Sequence, residues 1–254
     1  MLDRVRDALA AGKIAVGTHC RVSDADFYEQ CGMLGYDFIW VEGEHTDMTG
    51  PMKVNAVIAG QARGAAVFVR IPAVDLNLAK PVLDLGVDGV IFPNISSVEQ
   101  AAEAIAACRF PPKGRRGFGG GRGMDYGEMP LGEYLERVER EQWRILQIEH
   151  VNAVRDLDEI LALDGLSAII CGPMDLSASV GKLGRFNDPE VFEMMETVAE
   201  KCRAAGIPFG VSSAVDNAMV QQWKDWGAQL LSIGDHMSYF AKESKTVLTK
   251  YKEG

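Results

Sequence analysis

A closed (β/α)8 barrel is the fold this sequence predicts, and three observations point to it. Short apolar runs rich in Val, Ile and Phe alternate with helical segments along the whole chain. Eight such runs occur, each as continuously apolar as a strand covered on both faces of a parallel sheet should be. The length, 254 residues, matches the roughly 250 residues of one barrel of this kind. A doubly wound open sheet competes, but no G-x-G-x-x-G opens a helix after the first run. Residues 1–254 therefore read as a single barrel domain.

The expected strands are 14–20, 38–42, 66–71, 89–93, 144–149, 167–171, 208–212 and 230–233. Helix starts are signalled between them. Ser23 precedes Asp26 and Ser96 precedes Glu99 at capping-box spacing. Asp188-Pro189-Glu190 combines an N-cap, a proline at the first helical position and an acidic first turn. Gly12, Gly35, Gly86 and Gly206 stand where helices should stop before the next strand. Pro81 interrupts 75–85, so that helix is expected to start late or to kink. The long connection 110–126 carries five glycines from Gly117 to Gly123 with arginines nearby. It reads as a loop near the site or a subunit contact. A phosphate cradle is the weaker alternative, since no Gly-Lys-Ser/Thr follows.

Charge narrows the partners. With 26 Lys+Arg against 36 Asp+Glu, the net charge is −10, which disfavours a nucleic-acid surface. No apolar run approaches the roughly 20 residues of a membrane span. The first residues mix charges of both signs without an apolar core, unlike a signal peptide. The five cysteines form no C-x-x-C pair, so reduced thiols packed as small hydrophobes and a cytoplasmic setting are expected.

In a barrel, the carboxyl ends of the strands and the loops after them carry the chemistry. All four histidines fall there: His19, His45, His150 and His236. So do Glu42, Glu44, Glu149, Asp175 and Asp235. Strand alternation places Gln147 and Glu149 on one face, turned into the barrel, and Arg70 on the inward face with Ala66 and Phe68. A buried guanidinium needs an anion, either a structural glutamate or a ligand. Glu149 and Asp175 suit a hard divalent cation and equally a general acid and base. Lys13 lies at the wrong end of its strand and the other lysines fall in helices or loops, so imine chemistry is disfavoured.

Taken in order, Trp40-Val-Glu-Gly-Glu-His45, Val69-Arg-Ile-Pro72, Arg109-Phe-Pro-Pro-Lys-Gly-Arg-Arg-Gly117, Gln147-Ile-Glu149 and Gly172-Pro-Met-Asp-Leu-Ser177 resemble the HpcH/HpaI family of metal-dependent pyruvate aldolases. The likeness covers nearly the whole chain. It implies a 4-hydroxy-2-oxo acid cleaved to, or formed from, pyruvate and an aldehyde. It implies Mg2+, Mn2+ or Co2+ on Glu149 and Asp175, with Arg70 stabilising an enolate. It further implies that Gln147, Gly172, Met174 and Asp175 bind substrate. His45 would be the general base, and Asp84 would support it from a neighbouring subunit of a homo-oligomer, a hexamer by the same resemblance. Glu42 stands where the family usually has Asp, one methylene further from His45. The loop after Gly117 and the run Ile233-Gly-Asp-His236 also depart from the pattern, where the aldehyde would be selected. Two alternatives share these features: a barrel that condenses or decarboxylates an oxaloacetate-type acid, and a non-catalytic barrel that binds a carboxylate.

Overall fold

The computed structural model describes residues 2–47 and 49–252. Among the described residues, eight strands close into a parallel barrel in chain order, with the first paired to the last. They are β1 (Ala15–Cys20), β2 (Phe38–Val41), β3 (Ala66–Arg70), β4 (Gly89–Ile95), β5 (Trp143–Ile148), β6 (Ala168–Cys171), β7 (Phe209–Ser213) and β8 (Leu230–Asp235). Each overlaps its expected run, with ends displaced by one or two residues. The fold class read from the sequence is the fold observed.

Two apolar layers follow from the period-two alternation of the strands. One fills the barrel: Phe38, Trp40, Phe68, Trp143, Ile145 and Ile170 interdigitate there. Phe68 packs between Phe38 and Trp143, with ring centroids 5.4 and 5.7 Å away, stacked on the latter and tilted to the former. Small residues make room for these rings; a Cβ on Gly17 would lie 2.3 Å from Phe38. Val5 of helix α1 (Asp3–Ala10) and its N-cap residue Leu2 join the same layer at the amino-terminal end. The other layer lies between barrel and helices, where Val67, Val69, Ile169 and Val211 meet the helical faces.

The helices are α2 (Ala25–Leu34), α3 (Gly50–Ala62), α4 (Leu76–Asp84), α5 (Val98–Cys108), α6 (Leu131–Glu141), α7 (Val151–Arg155), α8 (Leu157–Leu161), α9 (Pro173–Ala178), α10 (Pro189–Ala205), α11 (Met219–Asp225) and α12 (His236–Lys252). Two caps differ from expectation by one residue. Asp24, not Ser23, accepts from the Asp26 N–H at 2.9 Å. Ser97, not Ser96, accepts from Gln100 N, while the Gln100 side chain reaches back to Ser96. Asp and Ser are comparable N-caps, and adjacent candidates leave the spacing rule one residue of freedom. Asp188 caps α10 as expected, and Gly35 and Gly206 end α2 and α10 in the left-handed region. Gly12 and Gly86 also have positive φ. Helix α4 starts before Pro81, at Leu76, because the Asp75 side chain caps Asn77 N.

The segment 110–126 differs more. It follows α5 and precedes α6, so it lies on the amino-terminal side of the barrel, against the end of α4. It is remote from the carboxyl ends of the strands of its own chain. All five cysteines are buried and free, and no described helix is long and apolar enough to cross a membrane.

The tightest strand contact supplies a test. A Cβ on Gly210 in β7 would stand 1.9 Å from the backbone oxygen of Leu230 in β8. Gly210→Ala should therefore cost about 2–3 kcal/mol through overpacking and lower Tm by about 4–12 °C. An unchanged melting curve would show that β7 and β8 do not approach so closely.

Candidate active site

At the carboxyl ends of the strands, one positive charge gathers a set of polar groups. Arg70, the last residue of β3, is 7% exposed. Its Nε and Nη2 donate to Glu42 Oε2 at 2.9 and 2.6 Å. Its Nη1 donates to Gln147 Oε1 at 3.3 Å and lies 2.9 Å from Glu44 Oε2. The guanidinium also sits over the Trp40 ring, 5.2 Å from the centroid. The sequence between the two glutamates explains how both reach it. Gly43 passes the Arg70 carbonyl so closely that a Cβ there would lie 2.4 Å from that oxygen.

The contacts continue around the rim and close on themselves. Gln147 Nε2 donates to Glu149 Oε1 at 2.7 Å. Glu149 Oε2 accepts the backbone N–H of Asn94 at 2.8 Å, and Asn94 Nδ2 donates to Glu44 Oε1 at 3.0 Å. Arg70, Gln147, Glu149, Asn94 and Glu44 thus form one ring. Asn94 makes both bonds because its φ is 56°, at a point where the β4–β5 register shifts. Asn tolerates this left-handed conformation better than most residues. Gly172 is equally specific: a Cβ there would lie 2.3 Å from Glu149 Oε1.

The carboxylates are not electrically equivalent. Burial works to raise the Glu42 pKa, but the hydrogen bond with His19 and the Arg70 charge outweigh it and hold it well below the usual carboxylate range. Burial raises Glu44 despite Arg70 and His45. Glu149 is pushed up to about 7 by burial and by the charge of Asp175, against the Asn94 N–H. More carboxylate is therefore gathered here than the single arginine neutralises.

That excess fits a divalent cation. Among the described residues, no group of three or more His, Cys, Asp or Glu is arranged to hold a metal. A hard cation held by Glu149 and the exposed Asp175 would take its other oxygens from water and ligand, as magnesium sites commonly do.

The other expected positions resolve individually. Met174 is half exposed at the start of α9, with Asp175 beside it. The His45 ring is 63% exposed and stands 3.6 Å from Glu44, beyond hydrogen-bond reach. Glu42 does not touch that ring; its Oε1 accepts the backbone N–H groups of Glu44 and His45 at 2.6 and 2.9 Å. The imidazole that Glu42 does hold is His19, at 2.6 Å. Asp84 ends α4 at the opposite face, where it accepts from the buried Arg116 at 2.9 Å. It cannot join the rim of its own chain. His150 caps α7, its Nδ1 accepting from Asn152 N, and His236 begins α12 against Phe27. Sequence reasoning missed Asn94, for which Pro93-Asn94 at a strand end was the only signal, and missed the pairing of His19 with Glu42.

Glu149 generates a pH prediction. Its folded-state value of about 7 exceeds the ordinary 4.5, so its contribution to stability is fully present below pH 4.5 and disappears as pH rises through 7. Between pH 5 and 8, cation-free wild type should lose about 2–3 kcal/mol more stability than Glu149→Gln. Parallel denaturant titrations of the two proteins would refute this if their pH slopes coincide.

The family model described as HpcH/HpaI aldolase/citrate lyase matches residues 16–242. A 4-hydroxy-2-oxovalerate aldolase of Novosphingobium aromaticivorans is 34% identical, over 97% of this chain and 93% of its own. A hydroxypyruvate/pyruvate aldolase of Roseovarius nubinhibens is 31% identical, over 97% and 96%. The crystal structure of an HpcH/HpaI aldolase from Desulfitobacterium hafniense superposes with a TM-score of 0.86 at 33% identity, covering 96% of each chain. With its closed barrel and its rim of Arg70, Gln147 and Glu149, the chain belongs to the HpcH/HpaI aldolase/citrate lyase family of carbon–carbon lyases.

Proposed function

We propose that this enzyme makes and breaks the bond between pyruvate and an aldehyde, the joined form being a 4-hydroxy-2-oxo acid. The observation that carries this reading is the buried Arg70, fixed by Glu42, Glu44 and Gln147 beside Glu149. The names of the relatives, a 4-hydroxy-2-oxovalerate aldolase and a hydroxypyruvate/pyruvate aldolase, favour the same chemistry.

In this reading Glu149 and Asp175 hold Mg2+, Mn2+ or Co2+. A bound divalent cation supplies Lewis-acid stabilisation for negative charge at the 2-oxo oxygen. Arg70 offers a second positive charge to the same enolate. Because its partners already hold it in place, little reorganisation accompanies charge development. Gln147, with the backbone at Gly172 and Met174, orients the oxo acid. His45, at the open mouth, serves as general base for the hydroxyl proton. Asp84 faces away from its own rim, so it would reach a His45 only in a neighbouring subunit.

Assembly has separate support. Beyond Tyr239, α12 buries nothing, and Phe240, Val247, Leu248 and Tyr251 are exposed. On the outer wall of the barrel, Val16 of β1 is 40% exposed. Apolar surface of this extent on a helix marks a contact, and a second copy of the chain is the occupant consistent with Asp84 acting between subunits. We read residues 1–254 as one domain of a cytoplasmic homo-oligomer, a hexamer by family resemblance. The buried thiols agree with a reducing compartment.

Metal-stripped protein should neither exchange the methyl protons of pyruvate in D2O nor release pyruvate from 4-hydroxy-2-oxo acids, and Mg2+ or Mn2+ should restore both. Glu149→Gln should abolish the restoration. Equal rates with and without chelator, or a fully active Glu149→Gln, would sink the metal–enolate reading. Light scattering should return a multiple of the 27.7 kDa chain mass, reduced by Phe240→Glu with Val247→Glu. A monomeric wild type would refute the assembly.

A further inference from the structure

The sequence singles out four histidines at the strand ends, and the roles above leave His19 without one. It is the penultimate residue of β1, on the inward face with Ala15 and Gly17. Its ring is 24% exposed and lies over buried Trp40, with centroids 5.2 Å apart and planes 34° off parallel. Its Nε2 is 2.6 Å from Glu42 Oε2. Glu42 already accepts from Arg70 and from two backbone N–H groups, so it meets His19 as an acceptor too, which assigns Nε2 as the donor and orients the ring. Nδ1 is then the free nitrogen: no hydrogen bond to it occurs among the described residues.

The same oxygen of Glu42 binds Arg70. One buried carboxylate therefore supports both the imidazole and the guanidinium of this rim. A proton gained at Nδ1 would create an imidazolium already paired with an anion, the arrangement that lets a carboxylate-held imidazole act as a base. His45 lacks this support: its ring is largely exposed, and the nearest carboxylate oxygen is 3.6 Å away. Asp235 is the register partner of His19 on β8, and the next residue, His236, feels the charges of Asp235, Arg21 and His19.

We propose that His19 is a second catalytic imidazole of this enzyme, acting directly on the oxygen of the aldehyde half. The inference rests on the aldolase reading and refines the role given there to His45, which would pass the proton between site and water. In cleavage, the O–H bond at C4 breaks as Nδ1–H forms, and the O–H electron pair becomes the new aldehyde C=O. The C3–C4 pair moves to the C2–C3 bond, and the 2-oxo oxygen takes the enolate charge. In the forming direction the Nδ1 proton returns to the nascent alkoxide. The aldehyde partner is thus bound by an oxygen contact on the β1 side of the rim.

Decarboxylation of oxaloacetate separates the steps, because it reaches the same enolate without removing a hydroxyl proton. His19→Gln keeps an N–H for Glu42 and loses the proton-accepting ring nitrogen. With Mg2+ present, it should slow cleavage of a 4-hydroxy-2-oxo acid by about 10²–10⁴-fold, while oxaloacetate decarboxylation changes by less than about tenfold. Cleavage within tenfold of wild type would overturn the proposal. Equal loss of both reactions would overturn it too, by reducing His19 to a prop for Glu42 and Arg70. If His19→Gln does not fold, His19→Ala carries the test through added imidazole: saturable rescue of cleavage supports the role, and no rescue rejects it. A wild type that releases no pyruvate from any 4-hydroxy-2-oxo acid would instead refute the aldolase reading itself.

Discussion

A guanidinium buried at the top of the barrel is the constraint on which the rest of this rim depends. Removing Arg70 from water is expensive unless several anionic or polar groups meet it. Here they are Glu42, Glu44 and Gln147, the first two from the connection after β2 and the third from β5, two strands around the barrel. Each partner is in turn fixed by something else: Glu42 by two backbone N–H groups, Gln147 by Glu149, Glu44 by Asn94. The backbone details are consequences. Gly43 has no side chain because two neighbouring glutamates must pass the Arg70 carbonyl, and Gly172 has none because Glu149 occupies the space. A buried polar network confers a single geometry only when its members are satisfied.

The same network is unbalanced in charge, and the imbalance is where its chemistry lies. One arginine faces Glu42, Glu44, Glu149 and Asp175. Glu42 takes most of the compensation and is held low, which leaves Glu44 and Glu149 raised by burial. A chain of net charge −10 attracts small anions poorly at long range, so any oxo acid must be drawn by local positive charge. Arg70 supplies part of it, and a cation between Glu149 and Asp175 would supply the rest while bringing the raised carboxyl back to its ionised form.

Much of this was legible in the sequence, and the reasons differ by residue. The barrel could be read because buried parallel strands are apolar on both faces and short. Arg70, Gln147 and Glu149 could be read because a period of two leaves no freedom about which face they occupy. Beyond the strand ends that certainty stops. The family resemblance implied a contact between Glu42 and the His45 ring, yet the loop turns so that only the His45 backbone meets it. The ring that does meet Glu42 lies on another strand, which no local pattern signals. Asn94 acts through a positive φ at a register shift, a property of the β4–β5 pairing and not of its neighbours in sequence. The segment 110–126 reads as a loop near the site or a subunit contact; α5, which precedes it, returns the chain to the end of the barrel away from its own rim.

That other end has an order of its own, which bears on how assembly and chemistry connect. Asp84 is held by Arg116, whose fully buried side chain also donates to Gln142 and Tyr134 and sits over Phe110. Gly119 closes over the same carboxylate and Gly121 over the Asp84 backbone oxygen, so this loop packs around Asp84 at the foot of the barrel. A fixed carboxylate at the foot of one barrel is of little use to the rim of that barrel. It becomes useful if a second copy brings its rim alongside, and the uncovered face of α12 gives such a copy something to pack against. In that arrangement, the rigidity conferred by Arg116 and the rigidity conferred by Arg70 would be two halves of one site. Forming the interface would then itself be a step in assembling the chemistry.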